Sequence, residues 1–239
     1  MKRIVLTGGG SAGHVTPHLA LLPHLLEEGY DVHYFGTEDG IEHKIMTLPG
    51  VTYHAIKSGK LRRYHDWKNF TDPFRVIAGV FQASRLMKEL NPDICFSKGG
   101  FVSVPVVIGA ARRHVPVLCH ESDLTPGLAN KICARFAKKI ATTFPECAQT
   151  LGDKAVCTGT PMRASLFSGS REKGLALCGF DGKKPVLIMM GGSLGAQSVN
   201  EALREALPRL LEKLDVLHIT GKGHLDESLQ TLPGYRQFE

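Results

Sequence analysis

Apolar and polar positions alternate along this chain in blocks that predict strands followed by helices. Short runs rich in Val, Ile, Leu and Phe predict strands at residues 4–7, 32–36, 52–56, 94–97, 115–120, 139–143 and 156–158. Helical periodicity fills the intervals, at residues 16–28, 38–48, 73–90, 102–113, 125–136 and 146–151. Regular alternation of this kind is typical of βαβ crossovers, so we predict an α/β fold built on a parallel sheet.

A break at residues 159–163 separates this block from a second, shorter one. The second block predicts a helix at 171–178, a strand at 186–190, a helix at 196–214 and strands at 216–220 and 235–238. These segments amount to about one and a half βαβ units, fewer than a doubly wound domain usually contains. An unusually small second lobe is one explanation and truncation is the other, which we favour. We therefore predict two Rossmann-like, doubly wound lobes, residues 1–160 and 161–239, with the second one truncated.

Two segments of the chain are nearly the same: RIVLTGGGSAGH at 3–14 and PVLIMMGGSLGAQ at 185–197. In each, an apolar strand ends in glycines and a helix begins, an arrangement that favours bound phosphate. The first also fits G-x-G-x-x-G, and the acidic pair Glu38 and Asp39 follows the next strand. An NAD(P)-binding oxidoreductase is therefore the main alternative to a pair of phosphate-binding lobes, and a tight turn without ligand remains open.

Further polar residues follow the strands at 94–97 and 115–120, in the segments SKGG at 97–100 and HESD at 120–123. Carboxyl ends of parallel strands meet at one sheet edge, where ligands bind in open α/β folds. His14, at the mouth of the first glycine turn, is a candidate general base or hydrogen-bond donor. His18 lies four residues on, but no third ligand stands at a supporting spacing. We therefore predict no metal site and a packing or surface role for His18.

Composition narrows the class of protein without identifying it. The chain has 239 residues, is 43% hydrophobic and 22% charged, and carries a formal net charge of +6. These values indicate a globular protein rather than a disordered one. The six cysteines contain no C-x-x-C pair, which favours reduced, mostly buried thiols. No apolar run approaches the roughly 20 residues that span a bilayer, so we expect membrane contact to be peripheral.

The segment from residue 57 to residue 70 mixes basic and aromatic side chains. A surface resting on anionic lipid headgroups fits this mixture. The candidate membrane contacts are Lys60, Arg62, Arg63, Trp67 and Phe70. A nucleic-acid patch and a solvated basic face remain as alternatives. No RNP-type, KH or helix-turn-helix motif accompanies the segment, so we predict no nucleic-acid partner.

Five segments together resemble the bacterial peptidoglycan N-acetylglucosaminyltransferases along the whole chain. They are GGGSAGHVTP at 8–17, SKGGFVSVP at 97–105, HESDLTPGLAN at 120–130, GTPMR at 159–163 and GGSLGA at 191–196. The resemblance implies the GT-B fold and an inverting transfer that needs no metal or cofactor. It further implies that N-acetylglucosamine passes from UDP-N-acetylglucosamine to the C4 hydroxyl of undecaprenyl-diphosphate-linked N-acetylmuramoyl-pentapeptide. The expected reaction is therefore the conversion of lipid I to lipid II at the cytoplasmic face of the bacterial membrane.

The same resemblance assigns roles to individual residues. It implies His14 as the base, with Glu121 as its competitor. Donor contacts are implied for Ser11, Ala12, Gly13, Asp123, Arg163 and Ser193. Contacts to the acceptor and its diphosphate are implied for Gly10, Gly99, Gly100 and Asn130.

The chain departs from the family pattern in two ways. Asp123 stands where many relatives have asparagine, and an ionised carboxylate accepts hydrogen bonds but cannot donate them. The family's second lobe also continues well beyond the position of Glu239. We therefore expect this chain alone to bind UDP-N-acetylglucosamine poorly and to transfer the sugar slowly.

Overall fold

The computed structural model describes residues 1–59, 68–192 and 195–239, and residues 68–71 by their backbone alone. The chain divides into two compact units, Met1–Ala164 and Ser165–Glu239. Each unit is built on its own sheet, of seven strands in the first and three in the second. Every strand pairing in the described part of the chain is parallel.

The first unit contains a doubly wound sheet. Its strands are β1 (Arg3–Thr7), β2 (Asp31–Gly36), β3 (Val51–Ala55), β4 (Ile94–Ser97), β5 (Val117–Glu121), β6 (Lys139–Thr142) and β7 (Ala155–Cys157). They lie in the order β3-β2-β1-β4-β5-β6-β7. The order reverses between β1 and β4, and a crevice opens at the carboxyl ends of strands on either side of such a reversal. The predicted parallel α/β sheet is confirmed.

Helices cover both faces of this sheet. They are α1 (Thr16–Glu27), α2 (Ile41–Met46), α3 (Lys68–Leu90), α4 (Ser103–Ala111), α5 (Leu128–Ala134) and α6 (Pro145–Leu151). Among the described residues, no helix is both long and apolar enough to cross a membrane.

Strand β1 shows why the sequence reads as one apolar run. Successive side chains of a strand point to opposite faces, and here both faces are buried. Ile4 and Leu6 belong to the cluster that includes Leu22 of α1. Val5 belongs to the cluster on the other face, which includes Val106 of α4. A strand covered on both sides has no polar face, so its sequence does not alternate.

The second unit consists of β8 (Val186–Met190), β9 (Asp215–Ile219) and β10 (Tyr235–Phe238), with α7 (Arg171–Cys178) and α8 (Gln197–Leu210). Its strands lie in the order β10-β9-β8. The amphipathic α8 places Leu203 and Leu207 in a small core with Val216 and Tyr235.

A buried polar network ties α8 to this second sheet. The Asn200 amide donates to the carbonyl of Thr220 at 2.9 Å, which leaves its oxygen to accept from His218 Nε2 at 3.0 Å. The other ring nitrogen of His218 then accepts from the Tyr235 hydroxyl at 2.8 Å. Burial lowers the pKa of His218, in keeping with a neutral ring. A fully satisfied network of this kind specifies the packing of helix on sheet.

Candidate active site

The glycine turns after β1 and β4 lie directly against each other. The Gly9 amide donates to the Gly99 carbonyl at 3.4 Å, and the Lys98 amide donates to the Thr7 carbonyl at 2.9 Å. Gly100 has φ +82°, and a Cβ built on it would overlap the Gly9 carbonyl oxygen. Any larger residue at Gly100 would force the turns apart, which is the physical reason for glycine there.

His14 lies in the crevice between these turns. It ends a short 3₁₀ turn, Ala12–His14, that precedes α1. Its Nδ1 lies 3.3 Å from the Lys98 carbonyl, and because a carbonyl only accepts, Nδ1 carries the proton. A Cβ built on Gly100 would lie 3.0 Å from His14 Cδ2, so the ring packs on the glycine backbone. Within the described residues no hydrogen bond involves Nε2, whose lone pair is therefore available.

The surroundings of His14 favour the neutral imidazole. Burial lowers the pKa of His14 most, and the nearby Lys98 ammonium lowers it further. The hydrogen bond to the Lys98 carbonyl and the charges of Glu121 and Asp123 raise this pKa. The net result is still a pKa below the ordinary histidine value. A neutral ring with a free Nε2 can accept a proton at physiological pH.

Glu121 ends β5 and is almost fully buried. Its Oε1 accepts from the Asp123 amide at 2.9 Å, and its Oε2 accepts from the Gly127 amide at 3.1 Å and from Asn130 Nδ2 at 2.8 Å. Both carboxylate oxygens are thus occupied by donors from α5 and from the segment that leads into it. Glu121 holds that segment in place.

Asn130, on α5, brings an unsatisfied polar atom to the second glycine turn. Its Oδ1 is buried and has no hydrogen-bond partner in the described part of the chain. A Cβ built on Gly99 would lie 2.6 Å from this oxygen. A buried acceptor without a partner is costly, and a donor from water or ligand would satisfy it.

Glu42, on α2, is a residue of this site that the sequence did not reveal. Its buried carboxylate accepts from the Thr37 amide at 3.1 Å, the Thr37 hydroxyl at 2.5 Å and the Gly10 amide at 3.3 Å. It also fills the space beside Gly9, where a built Cβ would lie 2.6 Å from the carboxyl carbon. The sequence points to Glu38 and Asp39 as the acidic pair near this turn, but both are exposed. In the structure it is Glu42 that contacts the glycine turn.

Three basic side chains of the first unit are buried. Lys98 is 1% exposed, and His18 and His120 are equally buried. Burial lowers the pKa of His18 to about 3, and both of its ring nitrogens lack partners among the described residues. The packing role expected for His18 fits its edge-on contacts with Tyr34 and Phe96. In the described ranges no His, Cys, Asp or Glu side chains form a group of three suited to a metal ion.

Of the other candidate residues, some are exposed and some lie outside the described residues. Ser11, Gly13, Asp123 and Arg163 are exposed, and Ala12 is half-buried. In the second unit, a Cβ built on Gly195 would overlap the Thr220 carbonyl, so this glycine turn packs on the end of β9. The predictions for Ser193, Lys60, Arg62, Arg63 and Trp67, and for the side chain of Phe70, concern groups outside the described structure.

One face of α3 carries exposed apolar side chains. Phe74 is 74%, Ile77 54% and Phe81 61% exposed, at a spacing that places them on one side of the helix. Arg112 lies over the Phe81 ring, its guanidinium carbon 5.6 Å from the ring centre. Beside them, α3, α4 and α5 enclose an apolar groove of about 480 Å³, lined in part by Ile77 and Leu128.

Comparison with known families decides the class of this site. Residues 4–142 match the glycosyltransferase family 28 N-terminal domain, and residues 186–239 match the family's C-terminal domain. The chain belongs to glycosyltransferase family 28. The GT-B class predicted from the sequence is confirmed, and nothing in the comparisons supports the NAD(P)-binding oxidoreductase. The interlocked glycine turns and His14 fall within the N-terminal match.

Relatives within family 28 give a more specific likeness. A Bacillus cereus protein named UDP-N-acetylglucosamine--N-acetylmuramyl-(pentapeptide) pyrophosphoryl-undecaprenol N-acetylglucosamine transferase 2 is 59% identical over 240 residues. That match covers 100% of this chain and 68% of that protein. A Clostridium novyi transferase of the same description is 57% identical, over 99% of this chain and 67% of that protein.

The crystal structure of Acinetobacter baumannii MurG superposes with a TM-score of 0.73 at 27% identity. The match covers 100% of this chain and 65% of that one. The chain thus spans about two thirds of the length of these family 28 proteins.

Proposed function

We propose that this protein transfers N-acetylglucosamine from UDP-N-acetylglucosamine to N-acetylmuramoyl-pentapeptide on undecaprenyl diphosphate, a step of peptidoglycan synthesis. The relatives at 57–59% identity carry this activity in their names. The observation that carries the proposal is the placement of His14 between two glycine turns, with Nδ1 held by the Lys98 carbonyl at 3.3 Å. This arrangement offers a base and backbone amides at one sheet edge.

The reaction then proceeds as a single displacement with inversion. The C4 hydroxyl oxygen of the acceptor sugar attacks C1 of N-acetylglucosamine while the bond from C1 to the UDP oxygen breaks. The hydroxyl proton passes to His14 Nε2, and UDP leaves with the bonding electron pair. Proton removal by a positioned base accelerates such steps by about 10²- to 10⁴-fold.

His14 is a better candidate for the base than Glu121. A base needs a free lone pair within reach of the substrate proton. His14 is half-buried and its Nε2 is free among described residues, whereas Glu121 is almost fully buried with both oxygens engaged. We assign Glu121 to the support of the 122–130 segment.

The diphosphates require positive charge or N–H donors. We assign the acceptor diphosphate to the turns around Gly10, Gly99 and Gly100, with Asn130 beside them, and the donor to Ser11, Ala12, Gly13, Asp123, Arg163 and Ser193. The amides of Gly9, Gly10 and Gly99 already donate within the protein, to the Gly99 carbonyl, the Glu42 carboxylate and the Ser97 hydroxyl. The assignment therefore rests on the lack of side-chain bulk at these turns, which suits close approach of phosphate. Residues 1–160 serve as the acceptor and membrane side, and residues 161–239 contribute to donor binding.

We also propose that the exposed α3 face contacts anionic lipid at the cytoplasmic side of the membrane. The acceptor of the relatives is lipid-linked, and the chain carries a formal net charge of +6. Phe74, Ile77 and Phe81 offer apolar insertion, and the expected basic contacts Lys60, Arg62 and Arg63 precede them in the chain. Peripheral membrane proteins commonly bind anionic membranes by inserting apolar side chains and placing basic side chains near the lipid phosphates.

A transfer assay tests the proposed activity. Radiolabelled UDP-N-acetylglucosamine and the lipid-linked acceptor are supplied to this chain and to a chimera that appends the C-terminal third of the Bacillus cereus relative. We expect the chimera to form labelled lipid product at a rate close to that of the relative, and this chain alone to form far less. A well-folded chimera without product would refute the proposed function.

Vesicle sedimentation tests the lipid surface. Wild-type protein should sediment with vesicles containing phosphatidylglycerol and not with neutral vesicles. The double variant Phe74→Ser, Phe81→Ser should lose most of this binding. The control Phe167→Ser removes an equally exposed aromatic from the second unit and should bind as wild type does. Equal binding by all three proteins would place the lipid contact elsewhere.

A further inference from the structure

Lys98 is an unusual residue for its position. It follows β4 directly and is 1% exposed, although a buried ammonium loses its hydration. Its Nζ donates to the Ser122 hydroxyl at 3.0 Å. Among the described residues no carboxylate lies within salt-bridge distance of it. Because burying an ammonium without an ion-pair partner is unfavourable, a functional role for Lys98 is worth testing.

The Lys98 backbone is fixed where His14 needs it. Its amide donates to the Thr7 carbonyl at 2.9 Å, which locks the residue onto the end of β1. Its carbonyl faces His14 Nδ1 at 3.3 Å and therefore selects the tautomer with the proton on Nδ1. The same residue thus leaves the lone pair on Nε2.

The Lys98 side chain acts on the same ring through its charge. Four ionisable groups surround His14: Lys98 after β4, Glu121 and Asp123 after β5, and His18 on α1. Lys98 opposes protonation of the imidazole, and the two carboxylates favour it. The Glu121 charge is spread over its N–H donors, and Asp123 is exposed to screening by solvent. Of these three charges, the Lys98 ammonium acts most strongly on the pKa of His14.

We propose that Lys98 is a positioning residue for His14: its carbonyl sets the tautomer and its buried ammonium keeps the ring unprotonated and ready to accept the substrate proton. The description of His14 as the base rests on the proposed function. The coupling between Lys98 and His14 does not, because it is a property of the free protein.

Histidine-detected NMR on the full chain tests the coupling without substrate. A His14→Gln variant identifies the His14 signals. In wild type the ¹⁵N shifts should show the neutral tautomer protonated at Nδ1, and the pKa of His14 should lie below the ordinary histidine value. In Lys98→Met the pKa of His14 should rise. Lys98→Gln, which keeps a polar group near Ser122, should raise it as well and serves as a second neutral variant.

Two controls separate the Lys98 charge from other effects. Lys139→Met makes the same change in net charge at an exposed position at the start of β6, and should leave the pKa of His14 unchanged. Ser122→Ala removes the partner of Lys98 Nζ but keeps the ammonium, so the pKa should stay low. An unchanged His14 titration in a folded Lys98 variant, or a wild-type ring protonated at Nε2, would overturn the proposal. Neither result depends on the transfer assay, so the two proposals can fail separately.

Discussion

At the scale of single residues, the assignment of His14 as the base can be tested most directly. In the chimera described above, His14→Gln should lower kcat by about 100-fold or more, because a glutamine cannot take the proton. Binding of UDP-N-acetylglucosamine, measured by calorimetry, should change little. Glu121→Gln should mainly reduce the stability of the protein, since its carboxylate holds backbone amides. A larger kcat loss in Glu121→Gln than in His14→Gln would reverse the assignment.

The pH dependence of transfer follows from the same residue. A general base works when unprotonated, so the rate rises as pH increases through its pKa. Burial and Lys98 lower the pKa of His14. The midpoint of the acid limb of the kcat/KM profile should therefore lie at a pH below the ordinary histidine pKa. A rate profile of the chimera between about pH 4.5 and pH 8 measures it. A midpoint at or above the ordinary histidine pKa would contradict the described surroundings of His14.

Lys98 should lower the stability of the folded protein. Burial lowers its pKa in the folded state, so below that pKa the ammonium is held at a cost. Lys98→Met should therefore raise the free energy of unfolding at pH 7 by about 1 kcal/mol or more. As pH rises through the lowered folded pKa towards the ordinary lysine value, the folded wild type loses its proton first and gains stability, so the gap should narrow.

Urea unfolding of both proteins at neutral and alkaline pH measures this gap. The exposed Lys139→Met is the matched control and should change stability by no more than about 0.5 kcal/mol. A Lys98→Met protein less stable than wild type would show that the ammonium has a stabilising partner.

At the scale of elements, the contact between the two glycine turns should contribute to the free energy of unfolding. Gly100→Ala adds a Cβ that overlaps the Gly9 carbonyl at a φ of +82°. The expected loss is about 2 kcal/mol or more, from left-handed backbone strain and from separation of the turns. Gly127→Ala is the control, because its Cβ meets nothing within 4 Å. Equal unfolding free energies for the two variants would mean that the turns separate without cost.

The hydrogen bonds between Glu42 of α2 and the first glycine turn should also contribute measurably to the free energy of unfolding. Glu42→Ala removes the acceptor for the amides of Gly10 and Thr37 and leaves both without a partner. Its stability should fall by about 2–4 kcal/mol. The exposed Glu38→Ala, four residues earlier, should stay within about 0.5 kcal/mol of wild type in the same unfolding experiment. A neutral Glu42→Ala would show that water replaces the carboxylate.

The sequence predicted most elements but not the contacts between distant ones. Strand β4 (Ile94–Ser97) and helix α7 (Arg171–Cys178) have the predicted bounds, because local periodicity and turn residues determine them. Helix α2 was predicted at 38–48 but spans Ile41–Met46, since Gly40 takes an extended conformation and caps it. The glycine turns could be found from sequence. The contact of Glu42 with Gly10 and the burial of Lys98 depend on long-range packing, for which local pattern carries no signal.

At the scale of the whole molecule, the two units have very different capacities to bury apolar surface. The seven-strand sheet has apolar clusters on both faces, whereas the three-strand sheet has a core of Leu203, Leu207, Val216 and Tyr235 with partly buried neighbours. On β8, Ile188 is 60% and Met190 62% exposed. Stability grows with the apolar area removed from water, so the second unit should open more readily.

Hydrogen exchange on the full chain measures this difference. Amides of β8–β10 should exchange through openings of lower free energy than those of β1, β4 and β5, because fewer apolar contacts are lost when they open. Leu207→Ala in the second unit should accelerate exchange there and leave β4 unchanged, and Val106→Ala should do the reverse. If both variants accelerated exchange in both sheets equally, the chain would open as one cooperative body. Energetic independence of the units would then be wrong, although each would still have its own sheet.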